Sequence, residues 1–573
     1  MTLNDTKLKK EVNTDIAIFD FLTCQYDNEH STMYAWCFKY RGEYTIGRTY
    51  EQFSNFLSHF TRGTDCYYLA YTADIRRFYT YFNGNVLNQQ KKPIEVKIKP
   101  SKATSVEQYS QLTLNRLIVR DITKMVDIDM PKPTFDETLV RHSNTPLSVE
   151  ENYLKARVDT IESNLIKYEI TVETSWQSIQ NKTRSIIRKH YNEMTDYEKV
   201  KYQCRSRVRS SATYDIIRNA VRGGVCMASA DKIGVTLTDV GSFDAVSHYP
   251  SQLMLKKFPV EIVDTPYRYS PADTRYLSVF KIKFTNIKAR NYNLCCMRFD
   301  DRKGDIIEQP HFEKSGNIYK AKTLITTMTN IDFMTYMKFY TWDSADVERG
   351  DLVVFSMDYL PNYIRKSVNE MFKAKEDTKG TPQGEINKAG LNSIWGLTSS
   401  RYETWKSYDM KRNRLFFCAW GAFITAYARQ ELLDRILKVG SDFVYCDTDN
   451  IKMINPEKHK YLFDLGKELG QWKDEGCSDC FKTLGKKKYI AIKKDKLDVT
   501  FSGIDKNSVL NTVSDIHEFI WGTNCGTVLR DCIIRQIICT DGIDETVVDY
   551  MGNEYNVKEK CYIYTAIGDF DMN

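Results

Sequence analysis

Two short apolar runs, Phe443 to Cys446 and Ile451 to Ile454, flank Asp447-Thr448-Asp449-Asn450. Strand-forming runs separated by turn residues predict a β-hairpin, which here crowds the carboxylates of Asp447 and Asp449 at its tip. Carboxylates held that close raise each other's energy, so the surrounding fold must bring a cation to the tip or leave it in water. The segment Ser242-Phe243-Asp244-Ala245-Val246-Ser247-His248-Tyr249-Pro250-Ser251 ends a strand on a further carboxylate, Asp244. From a neighbouring strand Asp244 completes an oxygen-rich site for Mg2+, which keeps several waters and takes few protein ligands.

Taken alone, Asp-Thr-Asp reads equally as an ordinary acidic turn. A third segment changes its weight. From Glu385 to Leu397, Ile386, Ala389, Ile394 and Leu397 recur at helical spacing, and Lys388, Asn392 and Trp395 fall at i, i+4 and i+7. Such positions share one helix face. That face offers an ammonium to a polyphosphate and a flat ring to a base, where the plainer alternative is a solvated Lys and a core Trp. Together the three segments suit nucleotidyl transfer, an in-line displacement in which two divalent ions clamp the attacking and leaving oxygens.

Composition narrows the setting more than the chemistry. At 573 residues the chain exceeds the size at which one core stops growing, so several domains are expected. A net charge of +6 permits a nucleic-acid partner without requiring one. The 13% aromatic content serves base stacking or core packing equally. The 15 cysteines are scattered and Met1 is followed by polar residues rather than a signal peptide, which favours reduced thiols and a cytoplasmic protein, in the host cell if the chain is viral. Cys477 and Cys480 form a Cys-x-x-Cys with no second pair at zinc-ribbon spacing. The run from Leu415 to Ala428 contains Gly421 and Thr425 and is too short to cross a bilayer, so it is read as a buried helix of a soluble protein with no membrane partner.

Near the start, Ile16, Ile18 and Asp20 alternate along a strand, and Met33 to Tyr40 and Tyr44 to Gly47 flank Arg41-Gly42 as a hairpin. A helix over Tyr50 to Phe60, a strand over Tyr67 to Tyr71 and a helix over Asp74 to Phe82 follow. The order β-β-β-α-β-α suits an RNase H-like domain. A polar stretch from Asp127 to Leu147 leads into a helix over Val149 to Glu169, and the first domain boundary is placed near residue 183.

Asp244-x-x-Ser247-x-Tyr249-Pro250-Ser251, Lys388-x-x-x-Asn392-Ser393-x-Trp395-Gly396 and Tyr445-x-Asp447-Thr448-Asp449 resemble motifs A, B and C of family B DNA polymerases, in that family's order. Arg222-Gly223-Gly224 ahead of them, Lys487-x-Tyr489 after them and the compact length resemble the protein-primed subgroup of phages and linear plasmids. The resemblance implies an α/β multi-domain chain, with an RNase H-like exonuclease-type N-terminal domain followed by a right-hand palm, fingers and thumb. It implies Mg2+, with Mn2+ as a substitute, ligated by Asp244, Asp449 and the Ala245 carbonyl, and Asp447 as a close catalytic partner. Tyr249 would lie under the sugar of the incoming dNTP, Lys375 and Lys388 would hold its triphosphate, and Asn392 and Trp395 would line the nascent base pair. Lys487 and Tyr489 would steady the primer terminus, while Arg222, Gly223 and Gly224 would touch the template. Template and primer DNA, dNTPs and a terminal, priming protein are the implied partners of a monomer. The implied division is 1–183 exonuclease-like, 184–256 and 417–505 palm, 257–355 an insertion contacting the priming protein and DNA, 356–401 fingers, 402–416 a shortened second insertion, and 506–573 thumb.

Departures from the pattern carry information too. His248 stands where the family has Leu, Trp395 where it has Tyr, Val221 where it has an aromatic and Asn450 where it has Ser; none removes a metal ligand. The first domain departs further. Asp20-Phe21-Leu22 puts Leu in place of the Glu of Asp-x-Glu, Tyr71 and Ile75 replace Asn and Asp beside Asp74, and Lys155 replaces Tyr ahead of Asp159. Asp20 and Asp159, two distant remnants, bind Mg2+ poorly. The expectation is a DNA polymerase with weak or absent proofreading, its first domain kept as a scaffold. Two other readings stay open: a non-proofreading repair, bypass or defence polymerase extending DNA primers, and a silent nucleic-acid-binding homologue, against which the intact Asp244, Asp449, Lys388 and Asn392 speak.

Overall fold

The computed structural model describes residues 16–25, 31–47, 52, 56, 64–68, 96–100, 109–114, 117–121, 147–168, 179–208, 210–399, 415–501, 509–510, 513–520, 524–530, 533–538, 545–548, 554–557 and 561–566. The chain forms two compact units, one of Met1–Asn181 with Val528–Arg535 and Tyr564–Asn573, the other of Lys182–Thr527 with Gln536–Ile563.

The first unit is built on β1 (Ile16–Gln25), β2 (Ser31–Tyr40), β3 (Glu43–Gly47), β4 (Thr64–Tyr68), β5 (Val96–Pro100), β6 (Tyr109–Leu114) and β7 (Leu117–Asp121). They make one sheet in the order β3-β2-β1-β4-β7-β6-β5, parallel at β1/β4 and β4/β7 and antiparallel elsewhere. This is the RNase H-like arrangement, with the β5–β6 hairpin as an addition the sequence reading lacked. Ala17 to Asp20 are all buried rather than alternating, as befits a central strand covered on both faces. One cover is α1 (Leu147–Lys167), whose Leu154, Val158, Ile161 and Leu165 are buried at helical spacing. β4 lies earlier than the expected Tyr67–Tyr71, because pairing of Asp65 with Ile16 and of Thr64 with Leu117 sets its start. Of the expected helix Tyr50–Phe60 only Gln52 and Phe56 are described, both helical. Asp74–Phe82, and with it Tyr71, Asp74 and Ile75, lies outside the described residues, as does 402–414 of the expected second insertion.

The second unit carries two large sheets with helices around them and a two-stranded one of Glu545–Val548 and Glu554–Val557. Three helices, Ile179–Asn192, Asp196–Arg205 and Ser211–Ala220, lead into β8 (Cys226–Ala228), β9 (Thr236–Ala245), α2 (His248–Leu255), β10 (Lys257–Val263), β11 (Leu277–Ala289), β12 (Ile306–Glu308) and β13 (Ile318–Thr329). There follow α3 (Asn330–Tyr336), β14 (Leu352–Tyr359), α4 (Asn362–Asp377), α5 (Pro382–Thr398) and α6 (Trp420–Val439). Last come β15 (Phe443–Asp447), β16 (Asn450–Met453), β17 (Trp472–Gly485), β18 (Lys488–Lys493) and β19 (Lys496–Phe501). One sheet runs β19-β18-β17-β9-β16-β15-β8, the other β10-β14-β11-β13-β12 with short strands at its margin.

Helix α6 joins the sheets through a common core. Its Leu432, Leu433 and Ile436 pack in one buried cluster with Phe243, Phe443, Ile451 and Trp472 of the first sheet and Phe280, Phe284 and Leu324 of the second. Each such side chain contributes about 1.5–3 kcal/mol on burial, which fixes the first sheet from behind and leaves its strand ends to carry the site. The helix expected over Leu415–Ala428 begins only at Trp420 and continues to Val439; Leu415, Phe417 and Ala419 are buried but not helical. An apolar run alone does not separate these cases. Among the described residues no helix is long and apolar enough to cross a membrane, and the described cysteines, Cys477 and Cys480 included, are unbridged.

Candidate active site

β15 and β16 form the hairpin, with Asp447 paired to Asn450 and Thr448-Asp449 as its two-residue turn. The strands take in Asp447 and Asn450, so the tip is tighter than the sequence suggested. β16 lies beside β9 with Asn450 opposite Asp244, and β17 on the other side sets Lys473 opposite Asp244. Registered residues on adjacent strands project to one side of a sheet, so Asp244 stands between Asn450 and Lys473. The Ala245 N–H donates to the Asp449 carbonyl at 2.8 Å, tying the end of β9 to the turn. Thr448 holds a left-handed φ of +61. Its N–H donates to the Val225 carbonyl at 2.8 Å, and its hydroxyl donates to Asp447 Oδ1 at 3.0 Å.

The carboxylates differ in electrostatic state. Burial, with the charges of Asp449 and Glu475, pushes Asp244 up to about 6 against the pull of Lys473 and Lys388. Burial raises Asp449 as well, opposed by His248 and aided by Asp447. Asp447 has its own cation: Lys487 Nζ donates to its Oδ2 at 2.6 Å. Two half-buried carboxylates, both raised and the one by the other's charge, are what a divalent ion relieves, and their hard oxygens suit Mg2+. Among the described residues no three His, Cys, Asp or Glu side chains converge as a cage. A pair of carboxylates is nevertheless the set Mg2+ uses when substrate phosphates complete its shell, so the donors fit that ion.

Helix α5 opens on Thr381, whose side chain accepts from the Gly384 N–H at 3.2 Å, with Pro382 in its first turn. It exposes Lys388 and Asn392 and half-buries Trp395. The Trp395 ring lies 5.5 Å from that of Tyr249, which brings the second and third sequence segments together. Tyr249 in turn reaches Gly224, where a Cβ would stand 2.7 Å from its hydroxyl and 2.9 Å from Thr448 Cγ2. Only glycine leaves room for both. Lys375, on α4, donates to Ser247 Oγ at 3.0 Å; burial lowers its pKa, Glu376 opposes this, and Lys473 and Lys388 lower it further. Lys473 was missed from sequence, since only strand pairing places it beside Asp244.

The remaining expected residues divide. Arg222 makes a bidentate pair with Asp305, at 2.8 and 2.6 Å, and donates to Thr326 at 3.0 Å, so its guanidinium is engaged within the protein. Arg429, missed from sequence, binds both oxygens of Asp332 at 2.8 Å and donates to the Arg222 and Gly223 carbonyls, fixing that backbone. Gly223 itself borders open space. Tyr489 packs 5.1 Å from Tyr445, and the Lys487 N–H donates to the Tyr445 hydroxyl at 3.1 Å.

In the first unit the two carboxylate remnants are both held by cations. Arg157 Nε donates to Asp20 Oδ2 at 2.5 Å. Burial alone would lower the pKa of Arg157, but the Asp20 charge overrides it and keeps the guanidinium charged. Lys39 Nζ donates to Asp159 at 2.6 Å and to Glu162 at 2.7 Å, and the Tyr44 hydroxyl donates to Asp159 at 2.6 Å. Burial would raise Asp159, but these donors lower it. Arg157 and Lys39 were not singled out from sequence.

Residues 148–461 match the model of a family described as DNA polymerase type B, organellar and viral. The DNA polymerase of Bacillus phage Nf is 22% identical over 315 residues, covering 48% of this chain and 49% of that protein. That of Bacillus phage phi29 is 25% identical over 195 residues, 30% of this chain and 33% of that protein. The matches thus span about half the length of the Nf protein and a third of the phi29 protein. Among solved structures, phi29 DNA polymerase with primer-template DNA has a TM-score of 0.64 at 14% identity, covering 96% of this chain and 100% of that one. The same enzyme with primer-template DNA and incoming nucleotides has a TM-score of 0.61 at 16% identity, covering 96% and 99%.

Proposed function

The chain belongs to the organellar and viral type B DNA polymerases, and from that premise we propose that it is a template-directed DNA polymerase that adds dNTPs to a primer by two-metal nucleotidyl transfer. The observation that carries this reading is the placement of Asp244 on β9 beside the Thr448-Asp449 turn, with Lys375, Lys388 and Lys473 around the same carboxylates. Asp244, Asp449 and the Ala245 carbonyl would hold Mg2+. Bound there, the ions would neutralise charge on the triphosphate and on the attacking oxygen.

The chain's own residues do the rest. Lys388 and Lys375 bind the triphosphate as point charges, with Lys473 as a third ammonium. Tyr249, packed on Trp395 and against Gly224, forms the floor for the sugar, and Asn392 with Trp395 lines the base pair. Lys487 holds Asp447 and, with Tyr489, steadies the primer end. Gly223 and Gly224 approach the template, while Arg222 shapes that approach through Asp305. In this division 184–256 and 417–505 act as palm, 257–355 as an insertion towards a priming protein, 356–401 as fingers and 506–573 as thumb, after an exonuclease-like 1–183. Mn2+ would replace Mg2+ in this donor set.

The same reading has the chain working as a monomer in a host cytoplasm, starting viral or linear-plasmid DNA on a terminal protein and lacking effective proofreading. The last point is supported by Arg157 and Lys39, which hold Asp20 and Asp159 as metal ions would. Extension of a primed template, with and without a candidate terminal protein, tests the proposal. Incorporation on the protein supports protein-primed replication, extension of DNA ends alone supports a repair or bypass role, and no incorporation refutes polymerase activity.

A further inference from the structure

His248 opens α2, and its side chain is buried at 2% exposure. Its Nδ1 lies 2.9 Å from the Thr448 carbonyl oxygen and its Nε2 3.5 Å from Glu431 Oε2 on α6. A carbonyl only accepts, so Nδ1 carries the proton. Nε2 is buried and makes no hydrogen bond, so Glu431 is a close neighbour of the ring rather than a partner of that nitrogen. Glu431 is itself fixed, since Gln252 Nε2 donates to it at 2.8 Å and Arg435 lies 3.1 Å away.

The accepting oxygen matters because of where it sits. Thr448 is in the left-handed region at φ +61, a conformation that a non-glycine residue keeps only when its surroundings hold it. Val225 holds its N–H at 2.8 Å. Its carbonyl belongs to the peptide plane that leads into Asp449, so whatever orients that oxygen orients Asp449. A leucine, the residue of the family pattern, would fill the space and offer no donor.

Resting on the polymerase reading above, we propose that His248 is a positioning residue, whose Nδ1–H locks the Thr448–Asp449 peptide and whose ring packs against Glu431 of helix α6. The imidazole thereby couples the orientation of Asp449 to helix α6 through two side chains rather than through the hairpin alone.

The test compares His248→Leu, His248→Asn and His248→Gln. Asn carries an amide nitrogen close to the place of Nδ1, Gln carries it towards Nε2, and Leu carries none. In single-nucleotide incorporation on a primed template, Leu and Gln should lower kcat about tenfold, the equivalent of about 1.4 kcal/mol or one lost hydrogen bond. Asn should stay within about threefold of wild type. The KM for dNTP should be unchanged in all three, because no triphosphate ligand touches His248, and thermal midpoints recorded without metal should fall by no more than a few degrees, the loss of one hydrogen bond. A folded Leu variant with wild-type kcat, or an Asn variant as slow as Leu, overturns the proposal. Should Leu fail to fold, equal rates for Asn and Gln overturn it. An inactive wild type refutes the polymerase reading and this inference with it, whereas an active wild type with an unaffected Leu variant refutes this inference alone.

Discussion

Replacing Arg157 with alanine removes the cation beside a carboxylate that is only 2% exposed, from a partner that is itself 16% exposed. With Nε at 2.5 Å from Oδ2, two unit charges in an effective dielectric of about 20 attract by about 7 kcal/mol. Most of that offsets the desolvation of both groups, and removing one partner of such a pair costs about 3–5 kcal/mol. Hydrogen exchange resolved to β1 and α1 reads the loss as a fall in local opening energy of that size. The double variant Asp20→Ala/Arg157→Ala should lose less than Arg157→Ala alone, since it removes the buried charge together with its partner. An Arg157→Ala loss under about 1 kcal/mol, or a double loss equal to the sum of the two single losses, would refute the reasoning. The same pairing has a functional corollary: Leu22→Glu alone should leave a mismatched, end-labelled primer intact, because Arg157 and Lys39 still hold Asp20 and Asp159. Terminal-nucleotide loss in that variant would contradict the proposal that these two cations keep the first domain from proofreading.

Asp442 accepts from Lys458, His459 and Asn455, which hold its carboxyl down at about 2; against an unfolded value near 4, this contributes about 1–2 kcal/mol after allowance for solvent screening. A depressed carboxylate stabilises above the unfolded pKa and loses that effect as pH falls through the folded one. Asp442→Asn should therefore lower the stability read by urea unfolding at pH 7 and matter progressively less from pH 4 towards pH 2. Gly224→Ala places a Cβ 2.7 Å from the Tyr249 hydroxyl, and an overpacking cost of about 1–3 kcal/mol should raise KM for dNTP about tenfold and weaken discrimination against ribonucleotides, read by steady-state kinetics with both. Lys473→Ala should raise KM for dNTP at least about tenfold, as expected for one charge-assisted contact worth about 1.5–3 kcal/mol, and an unchanged KM would remove Lys473 from the triphosphate site.

What was legible in the sequence is what depends on short range. The hairpin around Asp447 and Asp449 follows from short apolar runs around turn residues, and the face of Lys388, Asn392 and Trp395 from a period of 3.6. What was hidden depends on pairing across the chain. Arg157 meets Asp20 137 positions away, Arg222 meets Asp305 83 positions away and His248 meets Thr448 200 positions away. Lys473 looks like a surface lysine until β17 is set in register against β9. The Leu415–Ala428 run shows the converse: its burial was readable, but where its helix begins was not, because hydrophobicity without period does not choose a conformation.

The central claim is that Asp244 and Asp449 carry synthesis, and the most direct measurement is single-nucleotide incorporation in Mg2+ by wild type and by Asp449→Asn. This isosteric change removes a charge proposed to bind the metal, one that also raises the neighbouring Asp244 carboxyl. The account predicts a rate roughly 10³-fold lower, equivalent to about 4 kcal/mol of lost transition-state stabilisation, with a thermal midpoint in EDTA equal to or above that of wild type. Equal incorporation by the two proteins would contradict it.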